Sequence, residues 1–122
     1  MISIIVPCYN VAEFLRETLD SISAQSYSDW ECIIVDDCSS NSTAAIAAEY
    51  TQRDNRFKYL HQENKGLAGA RNAGIKNSCG KYILPLDGDD LIENSYIEKA
   101  VKILEEKDDI KVVYAFARFF GA

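Results

Sequence analysis

At 122 residues the chain has the length of one small domain, with room for a single hydrophobic core and not for two. Hydrophobic residues make up 48% and charged residues 26%, which is enough apolar material for a packed core and excludes disorder as the main state. Thirteen Lys and Arg against nineteen Asp and Glu leave a formal charge of -6, so nucleic acid is excluded as a partner, and any phosphate-bearing ligand needs placed cations or a divalent metal to offset the negative field.

The apolar opening from Ile2 to Val6 has only a strand's length and no basic stretch before it, which fits neither a signal peptide nor a membrane span; the cytoplasm is the expected compartment. A first strand is predicted over Ser3–Pro7. Val11, Phe14, Leu15, Leu19 and Ile22 then recur at helical spacing behind Asn10 as N-cap, with Glu13 three residues on. A second strand follows at Cys32–Val35, with Tyr27 and Trp30 expected to pack just ahead of it. An Ala-rich helix runs from about Thr43 to Arg53, and a third strand covers Phe57–Leu60.

The segment GLAGARNAG, Gly66 to Gly74, is helical by position yet carries three glycines, each costing about 1 kcal/mol against Ala inside a helix. Two explanations stand side by side: close packing of this helix on the sheet, or close approach of the backbone and Arg71 to a ligand. Beyond it lie a fourth strand at Tyr82–Leu86, a helix from Ser95 with Ser95 and Glu98 as a capping box, and a fifth strand at Val112–Phe116.

Alternation of this kind predicts β-α-β units with right-handed crossovers, an α/β domain over 1–122 with a doubly wound, mainly parallel sheet and helices on both faces. The strand runs are mostly continuous and not alternating in polarity, as strands covered on both sides should be. The four cysteines, Cys8, Cys32, Cys38 and Cys79, lack the short paired spacers of zinc sites and read as reduced structural thiols.

In open parallel sheets the ligand crevice lies beyond the carboxyl ends of the strands. The predicted strand ends carry Pro7, Cys8, Tyr9 and Asn10; Asp36, Asp37, Cys38 and Ser39; His61, Gln62, Glu63, Asn64 and Lys65; and Asp87, Gly88, Asp89 and Asp90. Three carboxylates within the four residues Asp87–Asp90 repel one another unless a cation or solvent screens them, and hard divalent ions take such oxygen ligands. Mg²⁺ or Mn²⁺ held there could complete its shell with phosphate oxygens; an acidic turn capping the following helix is the other reading. Asp36-Asp37 suits either turn chemistry or a grip on a nucleoside, against whose base Tyr9 could stack. Lys65 and Arg71 are the cations best placed for a diphosphate, whereas Lys99, Lys102 and Lys107 belong to a solvated helix face. His61 reads as a ligand or, more simply, as a satisfied structural residue.

Taken in order, ISIIVPCYN, LDSISAQSYSDWECIIVDDCSSNST, ENKGLAGARNAGI, GKYILPLDGDD and the late VVYA closely resemble glycosyltransferase family 2, the inverting enzymes with the Rossmann-like GT-A fold, over nearly the whole chain. The resemblance implies a donor site for a nucleoside-diphosphate sugar, UDP-sugar favoured, with a saccharide or lipid-linked acceptor. Pro7, Tyr9 and Asp36 would hold the nucleoside, with Tyr9 against the base and Asp36 hydrogen-bonding it; Asn10, Asp37 and Gly88 would also belong to the nucleotide-sugar site, and Lys65 and Arg71 would lie along the diphosphate. Asp87-Gly88-Asp89 matches the family's Asp-x-Asp, with Asp89 coordinating Mn²⁺ or Mg²⁺ and Asp87 on the ribose or the metal's water shell. No catalytic residue is assigned in this chain: the family's general base and acceptor wall are expected beyond Ala122.

On this reading the chain is the donor part of an apparently truncated domain, whose exposed sheet surface invites self-association. The family often builds surface polysaccharides at the cytoplasmic face of a membrane. The alternatives are a metal-dependent nucleotide-sugar-binding module without transfer activity, a receiver domain, whose acidic pair follows the first strand instead, and a haloacid-dehalogenase-like phosphatase, which wants its Asp pair on the first strand with a Thr close behind.

Overall fold

The computed structural model describes residues 1–9, 12–37, 41–63, 66–87 and 91–106. In chain order these form β1 (Ile2–Cys8), α1 (Ala12–Ser23), β2 (Trp30–Asp37), α2 (Asn41–Arg53), β3 (Phe57–Gln62), α3 (Gly66–Lys76), β4 (Tyr82–Pro85) and α4 (Tyr96–Glu106). The four strands make one parallel sheet in the order β3-β2-β1-β4. The expected fifth strand at 112–116 lies outside the described residues, as do Asn10 and Cys38.

β1 and β2 are buried along their full lengths, which is why both read as unbroken apolar runs. Side chains alternate between two cores. Ile2, Ile4, Val6, Cys32 and Ile34 meet Leu15, Leu19 and Ile22 of α1, Ile46, Ala47 and Tyr50 of α2, and Ile97, Val101 and Leu104 of α4 in the larger one. Ile5, Ile33 and Val35 meet Ala70 of α3 in the smaller one on the other face, with Leu60, Ala73 and Ile83 at its border. Helices therefore cover both faces, α1, α2 and α4 on one and α3 on the other.

β1, β2 and β3 run further than hydrophobicity alone indicates, whereas β4 stops at Pro85, one residue short of the expected Leu86. β2 takes in Trp30 and Glu31 at one end and Asp36 and Asp37 at the other, because backbone pairing continues from Ile2↔Trp30 to Cys8↔Asp36 against β1 and to Asp37↔Gln62 against β3. Pro7, Cys8, Asp36, Asp37, His61 and Gln62 thus stand on the last turns of the ladder and not in loops behind it. Trp30 opens β2 with its ring 5.2 Å from Phe57, edge to face, and the Arg56 guanidinium 3.9 Å over it; Tyr27 packs at the border of the same core.

The start of α4 departs from the local expectation. Gln25 reaches across to accept the Ile97 N–H at 3.0 Å and donates to the Glu93 carbonyl at 2.6 Å, while Glu98 accepts from Ser26 Oγ at 2.8 Å. A side chain about seventy residues away therefore supplies the cap that Ser95 and Glu98 promised locally.

At Gly74 the close-packing explanation of the glycine-rich helix holds. A Cβ there would lie 2.3 Å from Ile5 Cγ2 and 3.2 Å from Val35 Cγ2, so only the bare backbone lets α3 approach the sheet this closely. We expect Gly74→Ala to lower stability by about 1–2 kcal/mol, overpacking outweighing the gain of roughly 1 kcal/mol in helix propensity. The urea midpoint measures this; an unchanged or raised midpoint would show that α3 can retreat at no cost.

Candidate nucleotide site at the strand ends

From β1 the chain winds through α1 to β2 and through α2 to β3, then returns through α3 on the opposite face to β4 on the other side of β1. This reversal leaves a crevice at the carboxyl ends of the strands. A cleft of about 280 Å³ opens there, lined by Pro7 and Cys8 of β1, Tyr9 just after it, Asp37 of β2, and Gly66, Leu67 and Ala70 of α3.

Local sequence explains how the cleft is held open. Pro7 cannot donate a backbone hydrogen bond, but pairing of β1 with β4 ends at Ile5↔Pro85, with Leu86 N–H donating to the Ile5 carbonyl at 2.8 Å. By the alternation of a strand, the position of Pro7 faces that vacated side, where no donor is needed. Pro7 thus marks where β4 diverges and the crevice begins. Gly66 takes φ of 76°, a left-handed turn that glycine adopts without strain, and starts α3 directly beside the end of β2.

Asp36 and Asp37, adjacent in sequence, face opposite sides of the sheet. Asp37 accepts from the Gly66 N–H and from Gln62 Nε2, both at 3.0 Å, on the face of α3 and the cleft. It therefore caps α3. Asp36 faces the other side, where it accepts from Tyr59 Oη at 2.6 Å and has His61 Nδ1 at 3.8 Å. Both carboxylates are almost fully buried. Burial first, and the bond to Asp36 second, push the Tyr59 hydroxyl well above the usual phenol range, so it stays a donor.

His61 is half-exposed and also has Glu63 Oε1 at 3.7 Å from its Nε2. Burial and the charge of Asp36 push the Cys8 thiol up to about 12, and burial pushes Cys32 well above the ordinary thiol range. Both are inert thiols. Cys8, Cys32 and Cys79 are unbridged, as expected of reduced thiols.

Arg71 and Asp87, sixteen residues apart, meet at 3.2 Å between Nη2 and Oδ1. Tertiary structure thus pairs the expected diphosphate cation with the first acid of the Asp-Gly-Asp-Asp run. Lys65, Gly88, Asp89 and Asp90 lie outside the described residues. Among the described residues no group of three or more His, Cys, Asp or Glu side chains is arranged to hold a metal. What is described fits a hard cation in kind: Asp87 offers oxygen donors at a partly open strand end, next to a guanidinium suited to phosphate. No helix among the described residues is long and apolar enough to cross a membrane.

Four contributors were not singled out in the sequence: Gly66, Leu67 and Ala70 line the cleft and Tyr59 holds Asp36. The break before a glycine-started helix was a usable signal for Gly66; nothing local marked Tyr59.

The sequence matches the family model described as Glycosyl transferase family 2 over residues 3–122. It is 44% identical over 112 residues to glycosyltransferase GlyA of Streptococcus pneumoniae, covering 91% of this chain and 16% of that protein. It is 38% identical over 118 residues to the putative glycosyltransferase EpsH of Bacillus subtilis, covering 97% and 34%. The chain thus spans between about a sixth and a third of these relatives. Among solved structures, Staphylococcus aureus TarS 1-349 superposes with a TM-score of 0.80 at 29% identity, covering 88% of this chain and 33% of that one. The same protein in complex with UDP-GlcNAc gives 0.76 at 28% identity over 88% and 32%. Mannosyltransferase PcManGT of Pyrobaculum calidifontis, in complex with GDP-Man and Mn²⁺, gives 0.75 at 28% identity over 84% and 32%. By sequence along almost its whole length, and by its fold, this chain belongs to glycosyl transferase family 2.

Proposed function

We propose that residues 1–122 form the donor part of an inverting glycosyltransferase, binding a nucleoside-diphosphate sugar for attack by an acceptor hydroxyl of a saccharide or lipid-linked substrate. The observation that carries this reading is the cleft at the strand ends, which gathers Pro7, Tyr9 and Asp37 beside the start of α3. Neighbours of the same fold solved with UDP-GlcNAc, and with GDP-Man and Mn²⁺, support it. A polysaccharide-type acceptor is supported by the putative teichuronic acid biosynthesis glycosyltransferase TuaG of Bacillus subtilis, 36% identical over 108 residues.

In this reading Tyr9 packs on the base and Asp37, the carboxylate that lines the cleft, accepts from it, while Asp36 braces the strand end through Tyr59. Arg71 and Lys65 meet the diphosphate. Asp87 and Asp89 hold Mn²⁺ or Mg²⁺, and Asn10 and Gly88 count among the nucleotide-sugar-binding residues. The bound cation supplies the positive charge that a departing diphosphate needs.

Calorimetric titration of UDP and GDP with and without Mn²⁺ tests the assignment. We expect saturable UDP binding that Mn²⁺ strengthens, and Asp89→Ala should abolish the Mn²⁺-dependent part while leaving helical circular dichroism intact. Unchanged binding in that variant removes the metal role. Turnover of a UDP-sugar above background supports the enzyme, and binding without turnover supports a binding module.

A further inference from the structure

Leu67 breaks the pattern of its own helix. Leu67, Ala70 and Gly74 fall at the i, i+3, i+7 spacing of one helical stripe, and Ala70 and Gly74 are buried against the sheet. On that spacing Leu67 should be buried as well, yet it is 52% exposed. The reason is positional: Asp37, the last residue of β2, fixes the Gly66 N–H, so the first turn of α3 begins beside the very end of that strand and lines the cleft. Leu67 therefore projects along the cleft, whose other large exposed apolar side chain is Tyr9, 59% exposed.

We propose that Leu67 is a specificity-determining residue of the donor site, forming the second apolar wall of the base subsite and packing on a planar nucleobase whose other apolar contact is Tyr9. The inference rests on the nucleotide-binding reading above and adds to it a residue in contact with the ligand. An apolar wall on each side suits an aromatic ring and contributes nothing to the diphosphate. Leu67 thus discriminates nucleotides from ligands that carry only the phosphates.

Paired titrations of UDP and of inorganic pyrophosphate, both with Mn²⁺, test this on the full chain and its Leu67→Ala and Leu67→Met variants. We expect Leu67→Ala to weaken UDP about five- to tenfold, the loss of most of one apolar contact, and to leave pyrophosphate affinity unchanged. Leu67→Met, which restores a long apolar side chain, should recover most of the loss. Equal UDP affinity in wild type and Leu67→Ala overturns the proposal and leaves the donor-site reading intact. A parallel loss for pyrophosphate also overturns it, since the variant would then have shifted the end of α3. Failure of wild type to bind UDP sinks both readings.

Discussion

Asp37→Ala is expected to weaken UDP binding about a hundredfold and to destabilise the fold in the same step. The carboxylate is 3% exposed and receives two N–H groups at 3.0 Å, from Gly66 and Gln62, while lining the cleft. Removing it leaves the first amide of α3 without its acceptor, and a hydrogen bond to a charged group is worth about 1.5–3 kcal/mol. In the proposed donor site the same oxygens would accept a base N–H, so a loss of about 2.7 kcal/mol, or a hundredfold, is the scale expected for binding.

Gln62→Leu separates the two roles. It deletes one internal partner of Asp37 without removing the carboxylate from the cleft, and should cost about 1 kcal/mol of stability with UDP affinity changed by no more than a few-fold. Urea unfolding and calorimetry on the same preparations give both numbers. If Asp37→Ala binds UDP as wild type does, Asp37 only caps α3, and the nucleoside contact must be sought elsewhere.

Glu31→Ala should be the most destabilising polar substitution, by about 3 kcal/mol at neutral pH. Glu31 is 3% exposed at the amino end of the sheet, opposite the cleft. Its Oε2 accepts from Ser3 Oγ at 2.5 Å and Cys79 N–H at 2.6 Å, its Oε1 accepts from Lys58 Nζ at 2.7 Å, and Ser3 Oγ accepts in turn from Gly80 N–H at 2.8 Å. One carboxylate thereby ties β1, β2, β3 and the turn after α3 together. Breaking a buried charged network costs about 3–5 kcal/mol; the half-exposed Lys58 can return to water, which places this case at the low end.

The same network fixes a pH dependence. Burial by itself would raise the Glu31 carboxyl, but the Cys79 N–H, the Lys58 ammonium and the Ser3 hydroxyl outweigh it and hold the group below its ordinary 4.5. A carboxyl whose folded value lies below its unfolded one contributes stability above that ordinary value and loses it as pH falls through the folded one. Stability should therefore decline below pH 4.5 in wild type and less steeply in Glu31→Gln. Urea unfolding at pH 7, 5 and 3 decides it: equal acid slopes in the two proteins would show that Glu31 is not the titrating group.

The sequence by itself determined what depends on near neighbours. Apolar runs marked strands, buried on both sides in β1 and β2 though not in the largely exposed edge strand β3, spacings of three and four marked the helices, and their alternation implied a parallel sheet with helices on both faces, as found. The ordered segments around Pro7, Asp36, Arg71 and Asp87 were enough to indicate the family. Tertiary structure decided which face each strand-end residue serves. Asp36 and Asp37 are equivalent as letters, and only the register against β1 and β3 turns one to Tyr59 and the other to the cleft, because successive residues of a strand point to opposite sides. Gly74 became a packing requirement only once Ile5 lay beneath it, and Gln25 displaced the local cap of α4 from more than seventy residues away. Arg71 and Asp87 became partners only when α3 and β4 came to lie side by side. Propensity and periodicity are fixed within a few residues of chain, whereas these contacts join segments from sixteen to more than seventy residues apart and exist only after the sheet has set its strand order.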